Sequence, residues 1–389
     1  MLRIGIIGTG GIADAHLEGY LEFPDDCVIV ALADIVPGKA AQKAQAFSLT
    51  DAATYDEPAE LIAAGGLDLV SIATPPSSHA ALTIAALNAG INVIVEKPMA
   101  PSLEECDAML AAQRESGKFL SVVAQNRFRD DMATLKEALD SGLIGSVSHV
   151  RIDSAWWRGL PYYDLWWRGT WESEGGGCTL NHAIHHLDLT LWLMGRPSQA
   201  VAMLANAQHD NAEVEDLSVA VLRYGRGLAQ LTSSVVHHGE EQEIVVQGEL
   251  ARISLPWRVT AEQTQPNGFP TESGNTRLVD ELNALADAHV PLPQQGHAGQ
   301  IGDVIGAIRG GHPPMVTGED GRNAVEIVTA IYKAGIEMEV VNLPLQLDDP
   351  YYGSGHLTRH APHFYEKRTS VGELAGDIIV GASVGASSN

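Results

Sequence analysis

The segment Leu2-Arg3-Ile4-Gly5-Ile6-Ile7-Gly8-Thr9-Gly10-Gly11-Ile12-Ala13 runs from a mostly apolar stretch through a glycine-rich turn into a helical pattern. Gly8, Gly10 and Ala13 make a G-x-G-x-x-A turn between a predicted strand and a predicted helix. Its glycines permit a tight bend and close approach of the backbone to a pyrophosphate, and Ala13 lets the helix pack close to the strand. The helix start, from Gly11 and Ile12, offers unpaired N–H groups and the positive end of its dipole to phosphate. Such a turn also occurs without any ligand, so its surroundings matter. Val28–Ala33, Leu67–Ala73 and Ile91–Val95 are further apolar runs, separated by helical stretches near Pro37–Phe47 and Ser77–Ala89. Short runs buried on both faces, alternating with helices, predict a doubly wound parallel sheet, a Rossmann domain, over residues 1–124. Asp34 closes the second run, followed by Ile35. A carboxylate there accepts hydrogen bonds from the adenosine ribose and repels a 2′-phosphate, which favours NAD over NADP unless Lys39 or Arg3 offsets it. The plain alternative for Asp34 is a strand-end cap.

Outward from this end, 389 residues exceed one typical domain of ~150 residues, so two are expected. From about Gln125 the texture changes to strand-like runs at Val147–Ser154, Gln199–Ala207, Asp216–Tyr224, Gly227–Val236 and Gln242–Gln247. These predict an α+β domain over 125–345 with a large open, mostly antiparallel sheet, followed by an arm or tail over 346–389 whose end is rich in Gly, Ala and Ser. The formal net charge of −25 is the wrong sign for nucleic acid or an anionic membrane. Cys27, Cys106 and Cys178 are odd in number and lack a C-x-x-C pair, so neither a disulfide framework nor a cysteine zinc site is expected. With no signal-like leader and no apolar run near the ~20 residues of a membrane helix, a cytoplasmic protein is expected.

Two more strand ends carry polar groups where doubly wound sheets hold ligands: Thr74, Pro75 and His79 after the third run, and Glu96, Lys97 and Pro98 after the fourth. Pro98 confines Lys97 to extended geometry, which aims its ammonium reproducibly and suits it to stabilising developing alkoxide charge. The plain alternative is a pair of solvated charges at a strand end. Further on, Gly175-Gly176-Gly177 leads into a predicted helix. Leu180, Ile184, Leu187 and Leu191 form an apolar stripe there, while Asn181, His185 and Asp188 fall on another face.

Three motifs in order, the Gly8–Ala13 turn with Asp34, Glu96-Lys97-Pro98, and Gly175-Gly176-Gly177 leading to Asn181, His185 and Asp188, resemble the glucose-fructose oxidoreductase, inositol dehydrogenase and rhizopine catabolism protein family, Gfo/Idh/MocA. The resemblance runs from residue 1 to about Pro344. It includes Gln125-Asn126-Arg127-Phe128, the stretch that opens the family's second domain. It implies Lys97 beside the nicotinamide, a cis Lys97–Pro98 bond, His185 as acid/base, and a homodimer or homotetramer formed through the second domain's sheet. Gln125, Trp167 and Arg168 join the candidate cofactor contacts, and Arg127 the substrate contacts. Many members carry Asp where this chain has Asn181, so Asn181 positions a hydroxyl rather than ionises, and Asp188 is a candidate partner for His185.

His182 and His186 have the i, i+4 spacing of a two-histidine metal site, but H-E-x-x-H is absent and no third ligand is evident, so no metal is expected. His182 is expected to line a substrate pocket and His186 to pack. Trp156, Trp157, Trp166, Trp167 and Trp171, with Arg158, Tyr162, Tyr163 and Arg168, make an aromatic stretch. It reads as a platform for sugar C–H faces or, alternatively, as an interface plug. The expectation is an NAD-dependent dehydrogenase acting on a secondary hydroxyl of a sugar, glycoside or cyclitol, with Lys97 and His185 meeting at one alcohol oxygen. The rivals are an NAD-assisted glycoside-cleaving enzyme without net redox, and a non-catalytic NAD-binding regulator.

Overall fold

Strand β1 (Leu2–Ile7) lies inside a six-stranded sheet with β2 (Cys27–Ala33), β3 (Ala53–Tyr55), β4 (Leu69–Ile72), β5 (Asn92–Val95) and β6 (Leu120–Val122). The order is β3-β2-β1-β4-β5-β6 and every pairing is parallel. Chain direction across the sheet reverses between β1 and β4, and the C-terminal ends of the strands on either side of that reversal form the crevice where such sheets take ligands. Both faces are covered by α1 (Ile12–Leu21), α2 (Lys39–Ala46), α3 (Pro58–Ala64), α4 (His79–Asn88) and α5 (Leu103–Ser116), which is why β4 and β5 are buried along their whole length. Local chemistry sets the helix ends. At α5, the Ser102 hydroxyl caps the helix by accepting from the Glu105 N–H and donating to the Glu105 carboxylate, and Gly117 closes the helix in the left-handed region.

This computed structural model describes residues 1–240 and 242–372. The Gly-, Ala- and Ser-rich end, 373–389, lies outside them. Two compact units divide the chain. The first holds Met1–Phe128, Leu292–Glu326 and Asp348–His356; the second holds Arg129–Pro291, Ile327–Leu347 and the described residues from Leu357 onward. In the second, α6 (Asp130–Asp140) precedes β7 (Val147–Ala155), and the short α7 (Cys178–Asn181) precedes α8 (Ile184–Met194). There follow β8 (Gln199–Ala205), β9 (Leu217–Tyr224), β10 (Gly227–Ser234), β11 (Gln242–Gly248), β12 (Arg252–Leu255), β13 (Arg258–Thr260) and α9 (Thr276–Asp287). After α10 (Gly296–Gly310) and α11 (Gly318–Glu337), β14 (Val341–Asn342) completes an eight-stranded sheet ordered β13-β12-β11-β7-β10-β9-β8-β14. It is antiparallel except for β7 with β10, as the strand-like runs predicted.

Burial alternates along these strands. Ala200, Ala220, Leu222, Ala229 and Leu231 face the core, while Val201, Met203, Val219 and Leu228 are exposed on the opposite face. One expectation needs correction: the helix after the triple glycine is not continuous. His182 and Ala183 form a turn between α7 and α8, so Asn181 and His185 sit on separate helices. The core of the first unit also draws on a distant segment. Ile301, Val304 and Ile305 of α10 join Ile4, Ile6, Leu17, Tyr20, Leu32 and Ile94.

Candidate functional site

The glycine turn is fixed from behind. Gly8 has φ +90, and a Cβ there would lie 2.5 Å from the Ala73 carbonyl oxygen, so only glycine fits. Gly10 and Gly11 are different: a Cβ on either would meet nothing within 4 Å. Open space above two glycines at the start of α1 is the cradle a pyrophosphate needs. The buried Asp34 carboxylate ties the turn to the end of β2. Its Oδ2 accepts from the Thr9 N–H and the Thr9 hydroxyl, each at 2.8 Å, and its Oδ1 accepts from the Val36 N–H at 3.0 Å. Burial pushes its pKa up, but these hydrogen bonds and Lys39, 3.5 Å from Oδ2, outweigh that and hold it below the ordinary carboxylate range. Asp34 thus serves as a strand-end cap while keeping an ionised group at the edge of the cradle, beside Ile35, which is 73% exposed.

At the next strand ends, the fully buried His79 lies with both ring nitrogens 2.8 Å from carbonyl oxygens, those of Thr74 and Pro98. His79 therefore staples the two loops together from below. The Lys97–Pro98 peptide is cis, as the resemblance implied. Glu96, one residue earlier, is buried; its Oε2 accepts the Lys97 N–H at 3.1 Å and its Oε1 lies 3.1 Å from His16 Nε2. His297 Nε2 is 3.5 Å from the same oxygen. Burial raises the Glu96 pKa, yet the two imidazoles pull it well below the ordinary carboxylate range. Gln125 Oε1, at the end of β6, is buried with no hydrogen-bond partner, as an acceptor awaiting a ligand amide would be. Arg127 is buried and paired with Asp320 at 3.1 Å.

In the second unit, the triple glycine packs against a buried carboxylate. Glu215 accepts from the Gly177 N–H (3.1 Å), the Thr179 N–H (3.0 Å) and the Tyr332 hydroxyl (3.0 Å), and burial lifts its pKa to about 7. A Cβ on Gly177 would come within 1.8 Å of the Glu215 carbonyl oxygen. The Asn181 amide donates to the Gly176 and Gly177 carbonyls at 3.0 and 3.3 Å, which fixes its side chain against this loop. His185 stands partly exposed on the first turn of α8. Asp188 and His186, farther along the helix, are buried, and burial lowers His186 to about 4, so it packs as a neutral ring.

The fold divides the aromatic stretch into two groups. Trp171 (2% exposed) is a core residue, edge-on to Tyr332, and Tyr163 (1%) packs edge-on to Tyr162 and His209. Around the partly exposed remainder, the Arg168 guanidinium lies 4.2 Å from the Tyr162 ring centre and 4.1 Å from that of Trp167, anchored by the buried Glu174 at 2.8 Å. The Tyr162 hydroxyl is 3.4 Å from His182 Nε2. Trp166, at 57%, is open. Tyr162, Trp167, Arg168 and His182 are therefore brought together, and Tyr163 supports them from the core.

Sequence reasoning missed four residues. His16 follows Ala13 by less than one helical turn, but its partner Glu96 lies eighty residues on, at the end of β5, so their pairing left no local trace. Glu215 sits in a Glu-Asp pair just before β9, where charged groups are otherwise out of place. His297 and Tyr332 gave no local signal. Among the described residues, His16, Glu96 and His297 are also the one grouping of three or more His, Cys, Asp or Glu side chains with metal-ligand spacing, away from the histidines weighed on sequence grounds.

Residues 2–124 match the family model described as "Oxidoreductase family, NAD-binding Rossmann fold", and residues 132–254 match "GFO/IDH/MocA C-terminal domain". The chain is 27% identical over 350 residues to the myo-inositol 2-dehydrogenase of Thermotoga maritima, covering 88% of this chain and 98% of that protein. It is 25% identical over 356 residues to the scyllo-inositol 2-dehydrogenase (NADP(+)) of Bacillus subtilis, covering 88% and 96%. The WlbA dehydrogenase from Bordetella pertussis, solved in complex with NADH and UDP-GlcNAcA, superposes with a TM-score of 0.75 at 27% identity over 89% of this chain and 99% of that one. By the family models matching residues 2–124 and 132–254, and by fold, this chain belongs to the Gfo/Idh/MocA family of oxidoreductases.

Proposed function

We propose that the protein is a dehydrogenase that removes hydride from a secondary hydroxyl of a sugar, glycoside or cyclitol, with NAD preferred as acceptor. The observation that carries the reading lies within the first unit: Gly10 and Gly11 leave an open cradle at the end of β1, and Lys97 stands at the corresponding end of β5 in the same sheet. Gly8–Ala13, Asp34, Ile35, Thr74, Pro75 and Gln125 would hold the dinucleotide, whose nicotinamide supplies the hydride acceptor when bound, while the buried Glu96 faces His16 and the Lys97 N–H instead. Lys97 donates a hydrogen bond to the alcohol oxygen and stabilises the charge that builds there. His185 accepts the hydroxyl proton, the general-base task imidazole performs more often than any other side chain. Asn181, held against the triple glycine, aligns a neighbouring hydroxyl. Tyr162, Arg168 and His182 bind the rest of the substrate, with Trp166 and Trp167 offering faces to its C–H surfaces. The exposed Val201, Met203, Val219 and Leu228 support a second copy on the open sheet face, as a homodimer or homotetramer.

Lys97→Ala and His185→Ala are each expected to lower kcat about 10²- to 10⁴-fold on a responsive polyol while leaving NAD affinity unchanged. Full turnover in both variants excludes the mechanism. Accumulation of NADH during turnover separates net dehydrogenation from NAD-assisted glycoside cleavage. For the cofactor, kcat/KM with NAD should exceed that with NADP, and Asp34→Ser should narrow the ratio, because the ionised carboxylate that repels a 2′-phosphate is gone.

A further inference from the structure

We propose that His16 and His297 are positioning residues for Lys97, acting through the carboxylate of Glu96; the proposal rests on the role given to Lys97 above. Glu96 divides its two oxygens between separate tasks. Oε2 accepts the backbone N–H of Lys97 at 3.1 Å, and Oε1 faces two imidazoles, His16 Nε2 at 3.1 Å and His297 Nε2 at 3.5 Å. The imidazoles are themselves braced. His16 Nδ1 lies 3.2 Å from Ser71 Oγ, which is 2.7 Å from the Tyr20 hydroxyl, and the His16 and His297 rings stand 5.5 Å apart. On the far side of Lys97, the Pro98 carbonyl lies 2.8 Å from His79. The backbone of Lys97 is thus bracketed by buried side chains on both sides.

A lysine reaches its target on a flexible stem, so its ammonium is only as well placed as the backbone that launches it. A misplacement of about 1 Å in a reacting constellation costs up to about 100-fold in rate. Glu96 supplies the local hydrogen bond, but a lone buried carboxylate is unstable as an anion; two imidazoles on its other oxygen keep it ionised and fixed in direction. They come from separate parts of the chain, His16 from α1 and His297 from α10, so the loop bearing Lys97 is registered against both helices. The same three side chains have the chemistry of divalent-cation ligands. However, the two carboxylate oxygens already face the Lys97 N–H and the His16 imidazole, while His297 Nε2, buried without a hydrogen bond, stands 3.5 Å from Oε1 as an ion-pair partner.

The test compares His297→Ala with His297→Gln, whose amide N–H can reach the place of the imidazole Nε2. The alanine variant is expected to lose about tenfold or more in kcat, with substrate KM and NAD affinity little changed, and the glutamine variant to recover most of the loss. In a Lys97→Ala background, His297→Ala should cost nothing further, because the group it positions is absent. A readout without cofactor or substrate is the ¹³C NMR signal of reductively methylated Lys97, assigned by its absence in Lys97→Arg; it should shift in His297→Ala and return in His297→Gln. Should the alanine variant not fold, His297→Asn, whose shorter amide falls short of Glu96, takes its place. Full turnover in the His297 variant, a loss that adds in full to that of Lys97→Ala, or an unmoved Lys97 signal overturns the proposal. If instead Lys97→Ala alone retains full turnover, it is the catalytic reading that has failed, and the single variant shows it.

Discussion

Glu215 shows how a single side chain can organise a loop at a measurable cost. Three donors, from Gly177, Thr179 and Tyr332, converge on its carboxylate, yet burial still raises its pKa from 4.5 to about 7. The native protein therefore holds this proton more tightly than the unfolded chain does, and stability falls as pH rises between about 4.5 and about 7. The size of the effect is on the order of 3 kcal/mol. Glu215→Gln should remove that slope: the melting-temperature difference between variant and wild type, measured across this range, should move in the variant's favour with rising pH. A pH-independent difference would show that the carboxylate is not the titrating group. Glu96 is the opposite case, since its imidazole partners outweigh burial and keep it ionised.

At the scale of the element, the glycine turn separates folding from binding within four residues. Gly8 is required by its positive φ and by the Ala73 carbonyl, so Gly8→Ala should lower stability by several kcal/mol, on the order of 3, through strain and clash. Gly10 faces open space, so Gly10→Ala should leave the melting temperature near wild type while weakening NAD binding by about tenfold or more, a shift of about 1.4 kcal/mol. Thermal unfolding and cofactor titration of the two variants read these effects separately. Loss of NAD affinity without loss of stability in Gly8→Ala, or the reverse in Gly10→Ala, would contradict the assignment. The turn between α7 and α8 teaches a related lesson. Hydrophobic spacing across residues 180–191 fits one helix, but Asn181 bonds back to Gly176 and Gly177, and the chain bends before α8 begins.

Over the whole molecule, the described part of the chain after Ala361 acts as a strap within the second unit. The Trp171 indole donates to the Pro362 carbonyl at 3.0 Å, Trp166 N–H to Val371 at 2.9 Å, and Val371 N–H to Asp164 at 2.8 Å, while Lys367 reaches the carbonyls of Tyr163 and Leu165. Truncation after Ala361 should loosen the aromatic stretch and raise substrate KM several-fold without changing NAD affinity, whereas truncation after Gly372 should not; equal KM values in the two truncations would remove the strap. Much of this architecture is legible in the linear chain, because it depends on local spacing. Apolar runs and glycine turns announce the parallel sheet, alternation announces β7 to β11, and the Glu96-Lys97-Pro98 triplet marks a strand end. Local spacing carries no record of which distant segments pack together. The arrival of His297 beside Glu96, of Tyr332 beneath the triple glycine, and of residues 362–371 along the aromatic loop was decided only when long-range burial closed the two cores, since the free energy of those contacts belongs to buried surface rather than to any stretch of sequence.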